Sequence, residues 1–212
     1  MALLAVSSAG VVLQSMSDVP PLLRASWRMQ GTALILLPGF VYQFTRMDIG
    51  GISTRDWQVI LASSAFLAVH FGAWVWSLDH TSLIHSLLFV SMHPLVLVLL
   101  MPVIGTAVRR GHVTGVLLGI TGALLSMGDM EAGGEVTVLG DAAAFVGAVT
   151  VVGYLLAGRH LRSARQMPIF VYAFPVTLAA GIWLSLAAVS LEGVSLTSTF
   201  PEASLLGWSD VA

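Results

Sequence analysis

Apolar runs of about 20 residues, the length an α-helix needs to cross a bilayer core of about 30 Å, constrain this chain more than any other feature. Residues 22–44, 57–78, 82–108 and 168–191 meet that length. Residues 136–157 meet it with one acid near the start, Asp141. Two further runs, 2–16 and 113–127, are short at 15 residues each and span only where the bilayer thins or flanking residues help. In lipid every backbone N–H and C=O must be bonded within the protein, so such segments are helices. Composition agrees: 57% of the 212 residues are apolar and 9% are charged, against about 25% charged in an ordinary soluble domain. The expected fold is an all-α integral membrane protein, a multi-helix transmembrane bundle of seven helical segments.

The charge pattern sets an orientation. All nine basic residues are arginines, and none clusters into a patch for phosphate backbones, so nucleic acid is not an expected partner. The links after the second, fourth and sixth segments carry Arg46 and Arg55, then Arg109 and Arg110, then Arg159, Arg162 and Arg165; those after the third, fifth and seventh carry none. Cytoplasmic loops hold the excess of arginine, so the N-terminus is expected in the cytoplasm, with Glu131 and Glu135 on the opposite side from Arg162. Arg24 and Arg28 open the second segment at the outer face and stand outside this bias. Residues 2–16 lack the basic start of a signal peptide and read as the latter part of a first transmembrane helix; a signal peptide is the alternative. There is no cysteine, which removes disulfides and thiolate ligands.

Packing features follow. Gly115-x-x-x-Gly119 and Ala143-x-x-x-Gly147 either let helix backbones approach closely or reflect a general abundance of small residues. Pro38, Pro94, Pro102 and Pro175 fall inside segments, where each removes a backbone donor and opens a kink.

A succession of local patterns resembles the EamA-like branch of the drug/metabolite transporter superfamily. Pro21 through Arg28 followed by Ala33 through Pro38 looks like the family's second helix. Trp76-Ser77-Leu78, His80-Thr81-Ser82 and His93-Pro94-Leu95 resemble its third and fourth helices, and Gly115 through Gly122 its glycine-rich fifth. Gly140-Asp141-Ala142-Ala143-Ala144 with Tyr154 and Arg159 is similar to its sixth. The resemblance implies a five-plus-five inverted-repeat transporter fold with a central site. On that pattern 1–128 is the first repeat, its first helix clipped, and 136–212 begins the second, with an eighth helix starting at Trp208-Ser209-Asp210-Val211-Ala212. The sequence then reads as a truncated form, expected not to transport by itself. Pro21 and Pro168 open corresponding helices 147 residues apart.

Polar side chains within spans are costly and often functional. His70 has Trp74 one turn later on the same face, and His85, Phe89 and His93 share a face four residues apart. A neutral imidazole beside an aromatic ring suits a polar or partly aromatic metabolite; each histidine also fits a bond to a neighbouring helix. Arg28, always charged, either attracts an anionic substrate or snorkels to the headgroups. Arg24 reads as an interface anchor, and Asp56 and Asp141 as acids at helix ends, Asp141 a solvated cap. The expected substrate-binding residues are Arg28, His70, Trp74 and His93, lining one cavity. No catalytic residue, cofactor or metal site is read, and the expected activity is transport of a small metabolite of unassigned identity rather than an enzymatic reaction. Expected partners are that substrate and the lipid bilayer, with a homo-oligomer left open. Two alternatives stand beside it: a non-transporting structural or regulatory membrane subunit, and a histidine-ligated membrane redox protein, to which His80-x-x-x-x-His85 bears a superficial likeness.

Overall fold

A computed structural model describes residues 2–46, 52–127 and 136–195. Glu131, Glu135 and the expected start of an eighth helix at 208–212 lie outside the described residues. Every regular element within them is helical: α1 (Ala2–Ser15), α2 (Pro21–Phe44), α3 (Thr54–Ser77), α4 (Leu83–Val90), α5 (His93–Leu100), α6 (Arg110–Met127), α7 (Val138–Arg159) and α8 (Ile169–Leu191). Thr54–Ser77, Leu83–Leu100, Val138–Ala164 and Ile169–Leu191 are long and apolar enough to cross a membrane. Large apolar side chains stand open on the surface, Ile35 at 80% and Leu125 at 73% exposure among them; water would not tolerate such patches, and lipid does.

Three segments differ from their sequence outlines for local reasons. The fourth is broken. Pro94 has no N–H for the Val90 carbonyl, so α4 closes on tight bonds from Ser91 N to Leu87 O and Met92 N to Phe89 O, and α5 starts afresh at His93. The Val90 oxygen is met instead by His93 Nδ1 at a long 3.5 Å. α5 ends before Pro102, and Gly105 takes φ +70° in the turn that follows. The fifth segment is longer than its apolar run: α6 starts at Arg110 and holds 18 residues, about 27 Å at 1.5 Å per residue. His112 starts it early by accepting the Arg109 N–H on Nδ1 at 3.1 Å. α2 has the length of a span, 24 residues, but with Arg24, Arg28, Gln30 and Gln43 it is not among the most apolar helices.

The described residues form two compact units, one from 1–17 with 69–156 and the other from 18–68 with 157–195. These are divisions by packing and cross α3 and α7, whereas the expected repeats at 1–128 and 136–212 are divisions by sequence likeness.

In the unit containing α2 and α8, the two helices run antiparallel and cap each other. The Glu192 carboxylate, just beyond α8, accepts the Leu22 and Leu23 N–H groups at 2.7 and 3.2 Å. At the other end Gln43 Oε1 accepts the Phe170 N–H at 2.9 Å. Helix N-termini carry N–H groups without intrahelical partners, and each is satisfied here from the end of the other helix. Between the ends, Ser26 Oγ lies 2.7 Å from Ser185 Oγ, and Gln30 Nε2 donates to both hydroxyls at 2.9 and 3.0 Å. Gly181 permits this approach: a Cβ there would meet Gln30 Cγ at 3.2 Å. α2 is thus less apolar than its neighbours because one of its faces bonds protein rather than lipid.

The same unit fixes the start of α3. Ser53 and Asp56 cap it reciprocally, Ser53 N and Oγ donating to Asp56 Oδ2 at 2.9 and 2.8 Å while Asp56 N donates to Ser53 Oγ at 3.2 Å. Arg165 grips the carboxylate in a fork, Nε to Oδ1 at 3.1 Å and Nη2 to Oδ2 at 3.0 Å. A π-helical turn, His160–Ala164, and Gln166 in the left-handed region at φ 54° deliver Arg165 there. The bond to Asp56 raises the Arg165 guanidinium pKa above its ordinary value, so this cation is committed to the pair.

Candidate functional site

In the unit containing α4, α5 and α6, the end of α3 carries His70 and Trp74 one turn apart. Their rings lie 6.5 Å apart and 16° from parallel. His70 Nδ1 is 2.8 Å from the carbonyl oxygen of Gly147 on α7. A carbonyl only accepts, so Nδ1 carries the hydrogen, and the neutral ring keeps Nε2 as its acceptor nitrogen. Gly147 makes the contact possible: a Cβ there would stand 3.3 Å from the His70 carbonyl oxygen and 3.4 Å from Val90 Cγ2. The small-residue pattern of α7 is therefore a packing device. That of α6 has no such use among the described residues, since Cβ atoms at Gly115 and Gly119 would meet nothing within 4 Å.

His70 and Trp74 are thus brought together. His93 opens α5 half-buried on its own Val90 contact. Its neighbours Met92 and Pro94 line a mainly apolar cleft of about 400 Å³ between α4–α5 and α6, with Leu88, Val98 and Val116. Arg28 belongs to the other unit, half-buried on α2. One turn before it, Arg24 is only 1% exposed, which corrects its reading as an anchor in the headgroup zone: the side chain is enclosed by protein.

A second polar group lies where the α3–α4 corner meets the first turn of α7. Asp141 is 6% exposed and is no solvated cap. Its Oδ1 accepts from Thr81 Oγ1 at 2.7 Å, and His85 Nδ1 stands 3.1 Å from its Oδ2. Thr81, Ser82, His85 and Ser86 are buried with it. Ser77 Oγ donates to the Trp74 carbonyl at 2.6 Å, so Ser86 donates to Ser77 across 2.7 Å. Thr137 reaches the His80 carbonyl and caps α7 by accepting the Gly140 N–H at 3.0 Å. Glycine at 140 is required by crowding, because a Cβ would overlap the His80 carbonyl and stand 2.7 Å from Thr81 Cβ. The sequence hinted at this group only through Thr81 and His85 close together at the start of a span, and an acid in the first turn of another helix; Ser82, the extended N-cap of α4, stands between the first two. Among the described residues no group of three His, Asp or Glu side chains comes together as a metal site would need.

The model of the EamA-like transporter family matches residues 1–128, more than half of the chain. The chain belongs to the EamA-like transporter family. Curated proteins and solved structures give no match. Polar side chains enclosed among the apolar helices include the His70–Trp74 shelf, the Asp141 group, Arg24, the Ser26–Gln30–Ser185 group and the Ser63–Tyr172 pair.

Proposed function

We propose that this EamA-like protein takes part in carrying a small metabolite across a membrane by alternating access, its own share being substrate binding through Arg28, His70, Trp74 and His93. The observation that carries the reading is the His70–Trp74 shelf. It combines an imidazole held in one tautomer by the Gly147 carbonyl with an indole face stacked one turn away. Such a pair sets an imidazole beside an indole within the helices, a combination that suits a polar or partly aromatic solute. Arg28, half-buried on α2 in the other unit, is a cation that suits an anionic group. The first repeat is 1–128 and the second begins at 136. In support, Pro21 and Pro168 open α2 and α8, and these helices cap each other reciprocally, the arrangement expected of counterparts in inverted halves.

The N-terminus lies in the cytoplasm. Arginine placement carries this, and the contacts within the unit containing α2 and α8 agree: Gln43 with Phe170 and Asp56 with Arg165 join ends assigned to one side, while Leu22 with Glu192 joins ends assigned to the other. Single cysteines at Arg46→Cys and Asp79→Cys in this cysteine-free chain should react with an impermeant maleimide from opposite sides; reaction from one side would overturn the orientation. For the site, the purified protein is screened with a metabolite panel by thermal stabilisation, and the hit is followed by flux in liposomes. His70→Ala should weaken binding of the hit about tenfold, equivalent to about 1.4 kcal/mol, and Asp18→Ala should leave it unchanged. Equal effects would sink the assignment.

A further inference from the structure

We propose that the Thr81–Asp141–His85 group is a proton-binding site that latches the α3–α4 corner onto the first turn of α7 when protonated and releases it when not. The inference rests on the transport reading only for the use made of the latch, as the coupling step of the cycle.

Thr81 is a fixed donor to Asp141, while His85 Nδ1 donates or accepts according to its tautomer. Thr81 Oγ1 and His85 Nδ1 both point at Asp141 oxygens, at 2.7 and 3.1 Å. With both donating, the carboxylate is ionised, and a neutral imidazole leaves a net charge of −1 in a pocket where His85 is 4% and Asp141 6% exposed. Enclosing an uncompensated charge is costly. One proton taken from water onto His85 Nε2 cancels it and makes the Nδ1–H···Oδ2 bond charge-assisted. That proton belongs to the pair, whichever atom carries it. When the proton returns to water, the remaining charge is relieved by admitting water, which requires the Thr81 corner to lift from Gly140 and Thr137.

Among the described residues of the unit, no other charge does this work. From α3's corner, Asp79 is exposed, and His80 stacks on Trp76 with ring centroids 3.5 Å apart and Nδ1 on the Trp76 carbonyl. α1 has no titratable side chain and touches the corner through Gln14 Nε2 on the Leu78 carbonyl at 3.4 Å. α6 carries its titratable groups, Arg110 and His112, in its first turn, where Gly111 and His112 line the cleft with Val98, near the far end of α4–α5 from Ser82. α5 contributes His93, engaged with Val90. Beyond Asp141 itself, α7 contributes Tyr154, thirteen residues further along the helix, and Arg159, past the end of the stretch in this unit.

The test needs no substrate. The full chain carrying Ser86→Cys, a site fully buried behind the latch, is labelled in liposomes with a small maleimide between pH 5.5 and 8.5. The rate is divided by that of the exposed Ser17→Cys to remove the intrinsic pH dependence of the thiol. The normalised rate should rise about fivefold or more with pH. It should be slow and flat with Asp141→Asn, which keeps the Thr81 bond without the charge, and fast and flat with His85→Gln, which keeps the charge without the proton. A flat response in the parent protein, or an unchanged response in either variant, overturns the proposal. If Asp141→Asn does not insert, the parent and His85→Gln decide it. A pH-dependent latch in a protein that no member of the metabolite panel stabilises would fault the transport reading and leave the latch standing.

Discussion

The same substitution, glycine to alanine, should have opposite effects at two positions in the same unit. At Gly140, in the first turn of α7, a Cβ would overlap the His80 carbonyl, with the carbonyl carbon at 2.6 Å and Thr81 Cβ at 2.7 Å. These are a backbone group and a Cβ, neither of which can swing aside. Overpacking of this kind costs about 1–3 kcal/mol. Lifting the corner also weakens the Thr137 bond to His80, worth about 1 kcal/mol, and the Thr81 bond to the Asp141 carboxylate, about 1.5–3 kcal/mol. Alanine returns about 0.5–1 kcal/mol of helix propensity, so Gly140→Ala should destabilise by about 3–6 kcal/mol. At Gly115 a Cβ meets nothing within 4 Å. There only the propensity term remains, and Gly115→Ala should be neutral or stabilising by up to about 1 kcal/mol. Equilibrium unfolding in mixed micelles with increasing SDS, followed by tryptophan fluorescence, measures both. Agreement of the two variants within about 0.5 kcal/mol, a surface-like margin, would refute the idea that α7 seats on the 80–81 turn.

Other outcomes can be read by the same assay. Glu192→Ala, which strips the acceptor from the Leu22 and Leu23 N–H groups, should cost about 1–2 kcal/mol, as loss of a helix cap does; no loss would remove the reciprocal capping of α2 and α8. Ser63→Ala and Tyr172→Phe each break the buried 2.6 Å hydroxyl pair, at about 1–3 kcal/mol for the orphaned partner, and the double variant should cost less than the sum; additive losses would mean that the pair does not interact. The Arg165 pKa is raised by Asp56, so its contribution is fully present below the unfolded arginine pKa and is lost only as pH rises through the higher folded value. The stability difference between the parent and Arg165→Gln should therefore be constant from pH 6 to 10. A difference that shrinks as pH rises within that range would contradict it.

Segment lengths and apolarity alone determined that this chain folds as helices within a membrane, because unsatisfied backbone in lipid leaves no other choice. The breaks were written locally too. Pro94 denies Val90 its donor and Pro102 follows the last turn of α5, so the interruption of the fourth span is a property of the chain itself. Other boundaries were legible only in part: α6 begins before its apolar run because the His112 side chain turns back to Arg109, a rotamer that periodicity does not encode. What the sequence withheld was pairing. Helical spacing places His70 with Trp74, but it is silent on which residue of another helix stands opposite. Tertiary structure alone set Gly147 against His70, Ser185 against Ser26 and Asp141 against His85, and so turned an acid expected at a solvated helix end into a buried partner. Register between helices depends on shape and on where a missing Cβ lets two backbones meet, and both exist only once distant segments are in contact.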